Sequence, residues 1–251
     1  ILPMSWNYYK NHKLYDNAIS FVKKYSNFKI LSWTSGDYGV KIHNLKNLFV
    51  IRSSGYKTKL SKNHIGKPVF FHDPLKIYFS TSLFLPIRYG KTPIVGFCGQ
   101  ENHSIINLFK GCFRVVFRNI LSYLNLSNNS PQALYSSSFI RASILKKIED
   151  SIFIEDNFIK RKKYRAGLKN QNIDKAKTTI EFFENIRNSH YVICFRGNGN
   201  FSVRLYETIA MGRIPVFINS DCLLPYYKDW KNHAIWIERK NLKNLEESIL
   251  E

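Results

Sequence analysis

Acidic residues are the scarce class in this chain. Its 251 residues hold 18 Asp and Glu against 38 Lys and Arg, a formal net charge of +20. So few carboxylates favour polyanions or anionic surfaces; nucleic acid, acidic lipid headgroups and nucleotide diphosphates all fit that balance. Many of the lysines stand beside Asn and Ile, so part of the excess reads as compositional bias. No run of about 18 apolar residues occurs, which excludes a spanning helix. The opening "ILPMSW" has no basic segment leading into an apolar one and is not read as a signal peptide. Cysteines are few: Cys98, Cys112, Cys194 and Cys222, with no C-x-x-C pair. That argues against a zinc site and for buried free thiols in a reducing compartment, hence a cytoplasmic place. Both ends look cut from inside elements, so a fragment of a longer chain is expected.

What is present is enough apolar material for a core: 44% hydrophobic residues, 15% of the chain aromatic. "YDNAISFVKKY" (15–25) has helical spacing, and "FKILSWT", "NLFVIRS" and "KPVFFH" read as short strands, the last stopped at Asp73-Pro74. "KTPIVGFCGQ" (91–100) opens a second unit, followed by a helix over 104–124, a polar loop and a helix over 139–149. "NFIKRKKYRAGLKN" reads as a basic loop and "TTIEFFENIRNSH" as a helix with Thr at its start. Strand and helix alternate, the pattern of α/β layers on parallel sheets. Two units follow, 1–88 and 89–251, with the boundary near residue 88.

The most informative stretch is 195–218, "FRGNGNFSVRLYETIAMGRIPVFI". It lies between the strand "YVICF" and the strand "IPVFIN", with a helix over about 201–211 and Gly212 as its C-cap. In such units ligands sit beyond the carboxyl ends of the strands, where a helix start offers unpaired N–H groups and a positive dipole end. Gly197 and Gly199 permit close backbone approach. Arg196 and Arg204 suit phosphate, and Glu207, one turn beyond Arg204, suits a ribose diol. Asn200, inside the loop, completes the candidate binding set. A plain tight turn and a surface ion pair are the bland alternatives for the glycines and for Arg204 with Glu207.

A second reading takes Gly197-x-Gly199-x-x-Ser202 as an imperfect dinucleotide fingerprint with Asp221 about 20 residues on, which would make the chain an oxidoreductase. Ser202 in place of the third glycine, and Arg196 before the first, count against it. A nucleic-acid binder driven by charge alone would expose aromatics along a basic stripe. Here most aromatics fall in apolar runs, so no nucleic-acid partner is expected.

The stretch "RGNGNFSVRLYETIAMGRIPVFINSDCLLPY" resembles the C-terminal signature of the exostosin-like glycosyltransferases, family 47, and "NFIKRKKYRAGLK" with "TTIEFFENIRNSHYVICFRG" resembles its bacterial branch. "KTPIVGFCGQ" resembles the strand opening that family's donor domain, and "ILPMSW" the Leu-Pro ending an early acceptor-domain strand. The resemblance implies a GT-B-like α/β fold: two Rossmann-like domains facing across a cleft, the N-terminal one here short or truncated. It implies an inverting hexosyl- or pentosyltransferase that takes a nucleotide-sugar and a glycan or lipid-linked acceptor, in surface polysaccharide synthesis. Arg196 would meet the diphosphate and Glu207 the ribose, with Gly197, Ser202 and Arg204 shaping the phosphate end and Arg165 assisting.

No Asp-x-Asp occurs in the chain. Leaving-group charge would then fall to arginines and a helix dipole, so no metal or other cofactor is expected. An inverting transfer needs a base beside the acceptor hydroxyl. Asp37 in "SGDYG" is the first candidate, Asp73 in "HDP" the second, and Glu101 faces the cleft from the other domain. Each is also a natural turn or cap residue. The net charge suggests peripheral contact with an anionic membrane at its inner face.

Overall fold

A computed structural model describes all residues except 135, 163–173, 198 and 226–228. The chain opens with two helices, α1 (Trp6–Asn11) and α2 (Tyr15–Lys24), and three strands, β1 (Ile30–Trp33), β2 (Leu48–Arg52) and β3 (His64–Gly66). The strands form a parallel sheet in the order β1-β2-β3. α2 turns Ala18, Ile19 and Val22 inward, the i, i+1, i+4 face that its sequence spacing predicts. These residues join Leu2, Trp6, Ile30, Leu48 and Val50 in one core. Trp6 is fully buried, and its indole N–H donates to Ser32 Oγ at 2.9 Å, so the one polar atom of that ring is satisfied.

The strand expected over "KPVFFH" does not form. β3 ends at Gly66, and residues 67–73 carry no strand. Pro68 explains this, since it brings no N–H to a ladder. At Gly66 the strand also bridges Pro225 on its other side, and a Cβ there would meet Leu224 O at 2.1 Å. α3 (Pro74–Phe79) follows, started by Asp73, and its Leu75 belongs to the core of the second sheet rather than the first. Core membership thus passes from the first sheet to the second between Val50 and Leu75.

The second sheet is built from β4 (Ile94–Gln100), α4 (Ile105–Tyr123), α5 (Ser137–Glu149), β5 (Glu155–Arg161), α6 (Lys175–Arg187), β6 (Tyr191–Cys194), α7 (Val203–Ala210), β7 (Ile214–Asn219), β8 (Ile235–Glu238) and α8 (Glu247–Leu250). Its strand order is β5-β4-β6-β7-β8, all parallel. Side chains alternate across the sheet. Ile193 and Phe195 enter one core with Ile144, Leu145 and Ile148 of α5. Val192 and Cys194 enter the other, with Phe183 and Ile186 of α6 and Leu205 of α7. Burial on both faces is why "YVICF" and "IPVFIN" read as unbroken apolar runs. The α/β class with parallel sheets is therefore as expected.

Two local readings need correction. β5 runs through "EDNFIKR" and so takes in "NFIKR", the start of the segment read as a basic loop. It is an edge strand, and charged residues on an edge hide the apolar pattern of a buried strand. α6 starts at Lys175, capped by Asp174, whose side chain accepts from the N–H groups of Ala176 and Lys177. The Thr expected at its start lies one turn inside the helix. Gly212 has φ +65 and takes the left-handed step after α7 that was expected of it.

Candidate functional site

In the five-stranded sheet, chain order runs outward from β4 to β5, crosses back, and then runs outward the other way from β6 through β8. The switch point therefore lies between β4 and β6, and a crevice at the carboxyl ends of those strands is where open α/β sheets take ligands. The loop 195–202 leaves β6 at that point. Ser202 is the N-cap of α7, yet its side chain makes no capping bond. Among the described residues, the first N–H groups of α7 thus have no side-chain cap at the place where the dipole is positive.

Two arginines tie the strand ends together. Arg204 Nη2 donates to Cys98 O on β4 at 2.6 Å and Nη1 to Ile193 O on β6 at 3.4 Å, with the guanidinium 4.4 Å above the Phe97 ring. Arg204 Nε makes no hydrogen bond among the described residues. Burial lowers its pKa, opposed by the Cys194 thiol and then the Glu207 carboxylate. Arg141 of α5, which sequence reading did not single out, donates to Gln100 O and to Arg196 O. Glu207 is partly buried on α7, within electrostatic reach of Arg204. Burial pushes the Cys194 thiol up to about 12, so it stays protonated and inert.

Arg196 lies in a different place from the one its sequence position suggests. It is 3% exposed. Nη1 donates to Tyr56 Oη at 2.6 Å and Asn200 Oδ1 at 3.1 Å, and Nη2 to Gln132 Oε1 at 2.9 Å. The guanidinium fills the seam between the loop, the first sheet's Tyr56 and the 130s connection. Asn200 is buried too and works as a tie, with Nδ2 directed at the carbonyls of Gly55, Ser220 and Asp221. Tyr56 and Gln132 had no local motif to reveal them; they are found only through the fold.

The glycines divide. Gly197 is exposed with open space around its Cα, and its carbonyl accepts from Ser137 Oγ at 2.9 Å. Gly199 is buried, and a Cβ there would lie 1.8 Å from Asp37 O. The close approach expected of Gly199 is thus made by the chain's own "SGDYG" turn. That contact brings Asp37, an exposed residue, to the loop 195–202. Asp73 is not brought there. Its carboxylate accepts from Leu75 N and Lys76 N and caps α3. Glu101 follows β4 at the switch point, its Oε2 4.0 Å from His103 Nδ1. Arg165 lies outside the described residues. Asp221, the ribose ligand of the dinucleotide reading, takes φ +63 and accepts from Thr58 N and from Thr58 Oγ1 at 2.6 Å, which commits it to the first unit.

The model of the exostosin GT47 domain matches residues 119–251, more than half of the chain. The chain belongs to the exostosin GT47 family. The match takes in the whole loop 195–202, α7 and four of the five strands of the second sheet. It leaves the first sheet outside. No curated protein matches the chain closely enough to count as a relative. Family membership makes this a glycosyltransferase, acting on a sugar donor and an acceptor. β6, β7, the α7 start, Arg141 and Arg204 lie within the matched stretch, and β4, whose carbonyls those arginines hold, lies ahead of it.

The seam can be tested directly. Tyr56 Oη accepts from Arg196 Nη1 and also from Ala133 N at 2.8 Å. Tyr56→Phe leaves both buried donors short of an acceptor and should cost about 1–3 kcal/mol in urea denaturation. A loss below about 0.5 kcal/mol, the range of an ordinary surface substitution, would mean the seam is not held this way.

Proposed function

We propose that this GT47 chain transfers a sugar from a nucleotide-sugar to a saccharide acceptor, with inversion, and that the diphosphate docks on the first turn of α7. The observation that carries this is the α7 start: a helix N-terminus whose N-cap Ser202 makes no side-chain capping bond, at the β4/β6 switch point. Its N–H groups would meet the diphosphate directly. Arg196 would hold the loop in shape from the seam, and Arg204 would hold β4 against β6 beneath it. Glu207 remains the candidate for the ribose hydroxyls. This reading extends to the branch resembled, the bacterial one, and to a role in surface polysaccharide synthesis.

For the chemistry, Asp37 is the base we favour, because Gly199 holds its backbone against the donor loop. Its carboxylate would take the proton of the acceptor hydroxyl as that oxygen attacks the anomeric carbon. The glycosidic bond to the diphosphate breaks on the opposite face, and the nucleoside diphosphate leaves with its charge against the helix start. Asp37→Asn should lower the transfer rate about 10²–10⁴-fold and leave donor binding intact. A rate within about threefold of the original would remove Asp37 from the role.

Donor binding is checked by melting temperature. A uridine or guanosine diphosphate should stabilise the chain, and NAD(H) should not. Gly197→Asp fits its open surroundings, so the free protein should fold unchanged. It places a carboxylate beside the diphosphate and should abolish the stabilisation. Protection by NAD(H) alone, or undiminished protection in Gly197→Asp, would refute the assignment.

The same proposal includes a membrane surface. No helix among the described residues is long and apolar enough to cross a membrane. α4, however, exposes Ile105, Phe109, Phe113, Phe117 and Ile120, with Phe113 at 73%. At 100° per residue these fall within roughly 120° of arc, and Lys110 and Arg114 border them. An apolar face edged by cations matches the chemistry of an anionic bilayer. Flotation should show binding to vesicles containing phosphatidylserine and little to phosphatidylcholine alone, and Phe113→Asp should release the chain. No binding at low salt, or concentration-dependent self-association that Phe113→Asp abolishes in place of lipid binding, would reject the membrane.

A further inference from the structure

Beside the Arg196 seam, on the first sheet's side, lies a cavity of about 370 Å³. Tyr56 and Gln132 form the shared wall: both line the cavity and both accept from Arg196. The cavity opens at the carboxyl end of β2, whose last residue, Arg52, is 1% exposed. Arg52 Nε donates to Ser54 O at 2.6 Å, and Nη1 lies 3.4 Å from His64 Nδ1. Nη2 bonds to none of the described residues, and Arg52 has no ion pair among them.

A buried cation without a carboxylate is costly and persists where something else compensates it. Nothing in the wall does so: Lys41, Lys59 and His64 line the same cavity, and no Asp or Glu does among the described residues. His64 is held neutral, its pKa lowered to about 4 by burial and then by Arg52, so it can offer a hydrogen bond without adding charge. The room for the guanidinium is also built in. A Cβ on Gly39 would lie 2.4 Å from Arg52 Nη2, and one on Gly55 3.4 Å from Nε, and both glycines hold positive φ. Tyr56 and Tyr123 also line the cavity, with Lys59 Nζ 5.2 Å over the Tyr56 ring and Lys41 Nζ 5.7 Å over the Tyr123 ring, so further cations gather at the same place.

We propose that this cavity binds the anionic group of a charged saccharide, a phosphate or a carboxylate, on the Arg52 guanidinium. Its position across the Tyr56–Gln132 wall from the donor loop makes that saccharide the acceptor. The acceptor role rests on the transfer reaction proposed above; the anion site does not.

Calorimetric titration of the whole chain with glucose 6-phosphate, glucuronate and glucose tests this. At least one charged sugar should bind roughly tenfold or more tightly than glucose, and the stronger of the two tells phosphate from carboxylate. Arg52→Met should weaken that binding on the order of tenfold to a hundredfold while nucleoside diphosphate still stabilises the chain. Equal binding of glucose, or full-strength binding of the charged sugar by Arg52→Met, overturns the proposal. Should Arg52→Met fail to fold, the wild-type His64 ring resonance decides: it should move on adding the charged sugar and not on adding glucose, and a resonance that stays put overturns the site. If charged sugars bind but nucleoside diphosphates do not, the anion site stands and the donor site proposed at the α7 start falls.

Discussion

The structure depends on one buried guanidinium. Arg196 leaves β6 at the switch point and spends its donors on Tyr56 of the first unit, Asn200 of its own loop and Gln132 of the connection between them. Neutral oxygens from three separate parts of the chain must converge for that charge to be accommodated away from water. Once they do, the loop, the first sheet and the second sheet have one relative arrangement. The close passages at Gly199 on Asp37 and Gly66 on Leu224 then follow from it, as does the Asp221 link to Thr58.

That arrangement gives the crevice its chemistry. The loop 195–202 carries an open backbone at Gly197 and leads into a helix start that Ser202 does not cap, while the arginines are turned to structural work: Arg204 across the strand ends, Arg196 in the seam. The opposite wall holds Asp37 and, beyond Tyr56, the cationic cavity around Arg52. Buried cations therefore flank Tyr56 on both sides, Arg196 in the seam and Arg52 beyond it.

Much of this was legible in the residues because buried parallel strands and glycine-punctuated loops leave strong local patterns. "YVICF", "IPVFIN" and Gly212 read correctly for that reason. β5 did not, because an edge strand carries charges where a buried one carries Val and Ile, and "KPVFFH" misled because its apolar run outweighed Pro68. The site was harder. Arg196, Gly199 and Asn200 were picked out as ligand contacts, but the partners that occupy them come from Gly55, Tyr56, Gln132 and Asp37, far away in sequence. No motif reports a contact made across 60 to 160 residues, so sequence could name the residues without showing which way they face.

We propose above all that the donor's diphosphate rests on the α7 start. Hydrogen exchange of the backbone amides with and without a nucleoside diphosphate measures this at the residues concerned. The predicted result is slowed exchange confined to the loop 195–202 and the first turn of α7, with the three strands of the first sheet unchanged. Slowed exchange elsewhere with none at the α7 start would contradict it.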